Sequence, residues 1–172
     1  LYSPKGIVVN QMELITGRGF IKGHLSLITP SVKSYSYFVD SVRMIGEIDY
    51  GAVAAGDVRY FSRAYPRFPV INFSGSFDGT VNELKLREFD ISALSSIALK
   101  GDVDLYNCTS GIDLSLNSED LYVAGSAEEV KSIVKLFKDS LPPIMDRLGS
   151  MRWQGSFNGS LFNFKTKSRL NS

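Results

Sequence analysis

The sequence contains few of the residues that usually carry catalysis or metal binding. It has one histidine and one cysteine among 172 residues, so the composition excludes an internal disulfide and a zinc site built from four Cys or His ligands. The 19 basic and 18 acidic residues give a net charge of +1, which does not predict a surface for nucleic acid. The longest uncharged stretch, residues 153–164, is too short for a membrane-spanning helix, which needs about 20 apolar residues.

Apolar residues make up 44% of the chain and are arranged mostly with period two. This spacing places successive side chains on opposite faces of a strand and is typical of antiparallel sheet with one apolar and one wet face. The predicted fold class is therefore mainly β with one amphipathic helix: a curved antiparallel sheet, either taco-like or sandwich-like. The apolar positions are Ile21, Gly23, Leu25 and Leu27; Met44, Gly46, Ile48 and Tyr50; Leu99, Gly101, Val103 and Leu105; and Ile112, Leu114 and Leu116.

Two stretches have helical spacing instead. Ser126 and Glu129 have the spacing of a capping box and precede Val130 and further apolar residues at i+3, i+4 and i+7. They predict a helix near 126–148, bent by its two prolines. A weaker pattern predicts a short helix near 57–65, closed by Pro66.

The chain repeats itself. Residues 75–81 (GSFDGTV) recur at 155–161 (GSFNGSL) with an offset of 80, and residues 21–27 resemble 99–105 with an offset of 78. A fixed period with a fixed order of elements is the signature of a repeat array. We therefore expect two tandem β units, residues 1–92 and 93–172, belonging to a fragment of a longer repeat protein.

The motifs that could indicate a metal site or a catalytic residue have simpler structural interpretations. The Asp-Gly at 78–79 and the Asn-Gly at 158–159 predict a turn or a glycine kink, because the further carboxylates of a calcium loop are missing. His24 is expected on the wet face of a strand, and Cys108 in a turn without a neighbouring base. We therefore predict no catalytic residue, no metal ligand and no cofactor.

The apolar faces of the repeated segments are the remaining candidate site. Alternation places Phe73, Phe77 and Val81 on one face, and the repeat places Trp153, Phe157 and Leu161 on the matching face. Such a face can be sealed as a core, covered by a helix, or left as an open groove for an acyl chain, which is held by apolar burial alone. The sequence pattern fits all three.

Residues 73–86 (FSGSFDGTVNELKL) resemble the recurring "sGxxxGtlxnLxl" unit of TamB-like proteins, the translocation and assembly module components of the AsmA-like group. Residues 56–61, leading to Pro66, are similar to the short helix that precedes this unit in large envelope proteins of the Bacteroides type. The second copy, residues 130–159, has the same order.

This resemblance implies a non-enzymatic periplasmic bridge whose parent chain is anchored in the inner membrane. It implies transfer of phospholipid to the outer membrane, or handling of outer-membrane protein precursors, alongside an outer-membrane barrel partner. Phe73, Phe77, Val81, Trp153, Phe157 and Leu161 would then line an apolar conduit. The alternative from another class is a β-sandwich module of a glycan-binding or adhesin-like protein; an enzyme is disfavoured because the sole His and Cys offer no triad.

Overall fold

The described part of the protein forms one open, curved antiparallel sheet of nine strands in which each strand pairs with the next along the chain. The structure, a computed structural model, describes residues 6–58, 69–110, 113–134, 149–160 and 163–168. The prediction of a mainly β fold is confirmed. Of the two predicted arrangements, the described residues form the curved sheet and not a two-sheet sandwich. The strands are β1 Gly6–Ile15, β2 Phe20–Ile28, β3 Arg43–Val53, β4 Ile71–Gly79, β5 Glu83–Ala93, β6 Ile97–Tyr106, β7 Ser115–Ser126, β8 Ser150–Ser160 and β9 Phe164–Ser168.

One face of the sheet holds the core. Phe89, Val103 and Leu121 are 4%, 3% and 4% exposed, and partly buried apolar side chains from β5 to β8 pack around them. Within the described residues no second sheet covers this face. A curved sheet brings the side chains of its inner face together, so they bury one another; we call this the concave face.

A line of β-bulges crosses the sheet. Each of the strands β1, β3, β5 and β7 places two residues opposite one residue of an even-numbered neighbour. These pairs are residues 10–11, 49–50, 87–88 and 119–120, which we call the bulge row. A bulge bends its strand and increases the local twist, so four bulges at one level fold the whole sheet along one line.

Glycines in the even-numbered strands lie at the level of this row, and two of them leave space for it. They are Gly23, Gly75, Gly101 and Gly155. A Cβ at Gly101 would lie 2.6 Å from the Asp120 carbonyl oxygen, and one at Gly75 would lie 2.7 Å from the Phe89 Cα. Both glycines have strongly positive φ angles, 136° and 131°, which L side chains rarely adopt. The bulge row therefore depends on the absence of a side chain in the adjacent strand.

Polar side chains on the opposite, convex face hold the bulges. Glu88 has a φ of 50°, and its N–H donates to Asp102 Oδ1 over 2.7 Å. The Arg87 guanidinium donates to the Val103 carbonyl and, at 2.6 Å, to Asp104. These bonds satisfy backbone groups that the interrupted ladder leaves unpaired.

The bulges shift the phase of the alternation, and one prediction fails for that reason. Tyr50 was expected to follow Ile48 on the apolar face, but Gly51 takes that position and Tyr50 pairs with Lys22 on the convex face. There its hydroxyl donates to Asn72 Oδ1 over 3.0 Å, and its ring lies 5.0 Å from that of Phe20.

Short helices join the strands at their ends. A 3-10 helix, Val32–Tyr37, and α1, Phe38–Ser41, precede β3; α2, Ala55–Val58, follows β3; and α3, Ala127–Val134, follows β7. The helix expected near 126–148 thus begins as predicted, and residues 135–148 lie outside the described residues. Likewise α2 overlaps the start of the helix expected near 57–65, and residues 59–68 lie outside them.

The repeated segments occupy matching places in the sheet. The offset of 80 relates β4 to β8, and the offset of 78 relates β2 to β6. The expected boundary at residues 92 and 93 falls at the end of β5, and β5 pairs with β6 along both strands. Two units divided there share one continuous sheet.

The start of α3 is fixed to the turn between β5 and β6. Ser126 Oγ accepts the Glu129 N–H, as a capping box requires. The Glu129 carboxylate does not return to the Ser126 N–H but accepts hydrogen bonds from the N–H and hydroxyl groups of Ser95 and Ser96. These bonds lower the pKa of Glu129 to about 2.

A methyl group added beside the bulge row should destabilise the sheet. Because Gly101 combines a positive φ with a close carbonyl, we expect Gly101→Ala to lose about 2 kcal/mol or more in the free energy of unfolding. Urea titration followed by circular dichroism measures this loss. Gly17→Ala is the matched control, since a Cβ there meets nothing within 4 Å; equal effects at both positions would contradict a steric role for the bulge row.

The Glu129 cluster should contribute to acid stability. Since the folded-state pKa lies below the ordinary value of 4.5, its stabilisation is present above about pH 4.5 and is lost as the pH falls towards 2. We expect Glu129→Gln to reduce the fall in melting temperature across this interval. The exposed neighbour Glu128 provides the control Glu128→Gln, and an unchanged acid limb in Glu129→Gln would show that the cluster does not couple to folding.

Candidate functional site: an apolar groove on the concave face

The concave face opens into a groove between β7, β8 and β9. Its volume is about 400 Å³, and its lining is apolar except for one threonine. The lining residues are Leu114, Leu116, Leu121, Val123, Trp153, Phe157, Gly159, Phe164 and Thr166. A cavity of this size and chemistry falls within the range of small-molecule sites, which are mostly apolar and about 300–1,000 Å³.

The groove has a buried side, which we call the floor, and a partly exposed side, which we call the wall. Leu121, on the floor, is 4% exposed and belongs to the core with Phe89 and Val103. On the wall, Phe164 of β9 stacks on Phe157 of β8 with ring centroids 5.0 Å apart, and Phe164 remains 51% exposed. Apolar area that stays in contact with water is available to a ligand.

The local sequence explains how the wall forms. Phe157 faces Ser118 on one side and Thr166 on the other, while Gly159 faces Leu116 and Phe164. The glycine leaves room beside the two rings, and small residues flank Phe157. The Ser118 side chain is 9% exposed, and its hydroxyl has no hydrogen-bond partner among the described residues.

The structure separates the six residues predicted for the site. Trp153 and Phe157 line the groove together. Phe73 and Phe77 lie on the same face at β4, because they pair with Ile91 and Leu86 of β5.

Those two phenylalanines do not line the groove. Their rings cover Gly51 and Gly46 of β3, where an added Cβ would come within 2.5 and 2.7 Å of ring atoms. They therefore fill the concave face at the other half of the sheet.

The remaining two predicted residues have different outcomes. β4 ends at Gly79, and Val81 lies in the turn that follows, closed by a bond from the Thr80 N–H to the Glu83 carbonyl. The prediction that Val81 continues the face of the strand is therefore wrong, because the hairpin reverses before it. Leu161 lies outside the described residues.

Sequence reasoning missed Leu121, which lies in the floor of the groove, and Phe89, which belongs to the same buried core. In β7 the apolar positions step from Leu116 to Leu121 across the bulge at 119–120, and simple alternation assigns Leu121 to the wrong face. The sequence does contain a signal for such a bulge. Two adjacent polar or charged residues, such as Glu119 and Asp120, interrupt the alternating run, and the apolar positions change phase after them.

The charged side chains of the described strands lie on the convex face. Three ion pairs, each with a nitrogen–oxygen distance of 2.6 Å, join neighbouring strands there: Arg43 with Asp78, Arg87 with Asp104, and Lys100 with Asp90. The bond from Arg43 lowers the pKa of Asp78. Exposed pairs of this kind contribute little stability, about 0–1 kcal/mol each. They make the convex face polar and hydrated, whereas the concave face is apolar.

The two residues considered for chemistry lie apart from the groove. His24 is exposed on the convex face, opposite Glu47. Cys108 lies just beyond β6, where burial raises the pKa of its thiol, and that disfavours the reactive thiolate. The described residues also contain no group of three side chains able to hold a metal ion.

Comparison with known proteins adds no relative. No protein-family model, curated protein or solved structure matches the chain. Among the described residues, no helix has the length and apolar character needed to cross a membrane. The site is therefore defined by its geometry: an apolar groove on the inner face of an open sheet.

Floor and wall residues should respond differently to truncation. Leu121→Ala removes a buried side chain and should lower the free energy of unfolding by about 2–5 kcal/mol. Phe164→Ala removes a half-exposed ring and should cost at most about 1 kcal/mol. Chemical denaturation of both variants checks this; equal losses would mean that Phe164 is part of the core and that the groove is not open.

Proposed function

We propose that this chain is a segment of a non-enzymatic envelope bridge of the TamB/AsmA type and that its concave face holds phospholipid acyl chains. The observation that carries the proposal is the open groove lined almost wholly by apolar side chains. An acyl chain needs no polar partner, so a groove without one suits it.

The energetics suit reversible binding. Each buried methylene contributes about 0.8 kcal/mol, so ten methylenes contribute about 8 kcal/mol before the entropic costs of association. That gross figure corresponds to a dissociation constant of about 1 μM, and the costs weaken it further. A dissociation constant in this range suits a transfer protein, because the protein must also release its cargo.

The apolar face also extends beyond the groove. From β1 to β9, matching positions carry Ile7, Leu27, Met44, Gly79, Leu84, Leu105, Leu116, Gly159 and Phe164, each paired with the next. This row crosses the sheet without a charged residue. It supports a path for acyl chains across the strands.

The resemblance of residues 73–86 to TamB-like proteins supports a periplasmic location for this activity, with the parent chain anchored in the inner membrane. Transfer would run between inner and outer membranes, beside an outer-membrane barrel partner. Outer-membrane protein precursors are the second cargo that this proposal admits, since their alternating strands also present apolar side chains.

A glycan-binding function has one observation in its favour. Phe20 and Tyr50 form an aromatic pair beside Asn72 on the convex face, and Tyr50 is 45% exposed. However, the Tyr50 hydroxyl already bonds to Asn72, and its ring lies beside Phe20. The polar groups of Tyr50 and Asn72 are already bonded to each other, whereas the groove keeps an open apolar surface, so we place acyl-chain binding first.

Trp153, the sole tryptophan, allows binding to be measured directly. The purified chain is titrated with a phospholipid brominated on its acyl chain, and with the unbrominated lipid as reference. Because Trp153 lines the groove, we expect saturable quenching by the brominated lipid. Mass spectrometry of the protein as purified should also find phospholipid.

Two variants of equal charge change locate the binding. Phe164→Asp places a carboxylate on the wall and should weaken lipid binding at least tenfold, because the charge must be desolvated. Asn163→Asp, at an exposed position one residue earlier, should leave binding unchanged. Absence of quenching in the native chain, or equal effects of the two substitutions, would refute the proposal.

A further inference from the structure

The strand β1 forms one edge of the sheet and is unusually apolar for an edge. Ile7, Val8, Leu14 and Ile15 are 51%, 65%, 50% and 73% exposed. The described part of β1 contains neither proline nor lysine, which natural edge strands use to prevent pairing. This edge is thus competent to accept another strand.

The side-chain pattern of β1 repeats that of β5 with an offset of 77. Ile7, Val9, Met12 and Leu14 correspond to Leu84, Leu86, Phe89 and Ile91. Each strand carries its two-residue bulge at the same place, residues 10–11 in β1 and 87–88 in β5. The two strands are therefore equivalent positions of the repeat, and only β5 has neighbours on both sides among the described residues.

The neighbour that β5 holds on its preceding side is β4. Phe73 and Phe77 of β4 pair with Ile91 and Leu86 of β5, while Gly75 crosses the bulge against Phe89. Every bulged strand that has described neighbours on both sides, namely β3, β5 and β7, lies between two strands that bring a glycine to this level. We call this relation the pairing rule: the bulge of one strand lies level with a glycine of the adjacent strand.

We propose that the edge of β1 that has no partner strand among the described residues is a docking site for an extended, antiparallel peptide segment of the β4 type, with a glycine facing the bulge at 10–11. Its flanking apolar residues face Val9 and Leu14. This pairing surface is separate from the lipid groove and does not depend on it.

The rule also disfavours pairing between two copies of this chain. An edge-to-edge dimer through β1 sets a bulged strand against another bulged strand, without the glycine that makes room for it. The other edge, β9, is also odd-numbered, has five described residues and carries Lys165 and Lys167. A separate glycine-bearing strand fits β1 better than either edge of a second copy.

The test uses the full chain and a fluorescein-labelled peptide of residues 70–80 (VINFSGSFDGT). We expect saturable binding by fluorescence anisotropy. Hydrogen-exchange mass spectrometry should show added protection in β1 and not in β9. The matched control peptide carries Gly75→Val, whose side chain would clash at the bulge, and should bind at least tenfold more weakly.

Deleting Gln11 from the chain removes the bulge at the edge and provides a second control. The native peptide should then lose at least tenfold in affinity, and circular dichroism verifies that the variant still folds. The proposal is overturned by no binding to the native chain, by equal affinity of the two peptides, or by protection in β5 or β9 instead of β1. A concentration-dependent dimer that the peptide does not dissociate would overturn it too.

Discussion

The architecture depends on one steric relation, in which the bulges of β1, β3, β5 and β7 lie level with glycines of the neighbouring strands. Two residues of β5 fit opposite one residue of β4 because that residue, Gly75, has no side chain and adopts a φ of 131°. Repeated across the sheet, this relation bends the strands at one level. A flat nine-stranded sheet would leave its apolar face in water, whereas the bent sheet buries Phe89, Val103 and Leu121 with its own side chains.

The candidate site is a consequence of the same bend. In the middle of the sheet, where each strand has neighbours on both sides, the side chains of the concave face pack into a core. Towards the edge strand β9 the same face opens into the groove beside Trp153 and Phe164. Charged pairs occupy the convex face, where they remain hydrated and hold the bulges in place. A surface divided in this way suits a passive carrier of apolar cargo.

Much of this arrangement was predictable. Alternation identified the antiparallel sheet, and the capping residues Ser126 and Glu129 located the start of α3. The repeat also aligned β4 with β8. The groove was predicted only in part: Trp153 and Phe157 line it, but Phe73 and Phe77 cover glycines elsewhere on the face. Val81 was misplaced because a hairpin reverses the chain before it, and Leu121 was missed because a bulge changes the phase of the alternation.

The sequence by itself determined which segments become strands, where α3 begins and which residue types repeat, because period two and capping are local properties. Only the tertiary structure decided where the alternation slips, since a bulge is defined by the partner strand. It also decided that the apolar face is partly core and partly groove. That distinction depends on curvature summed over nine strands, and no single segment contains it.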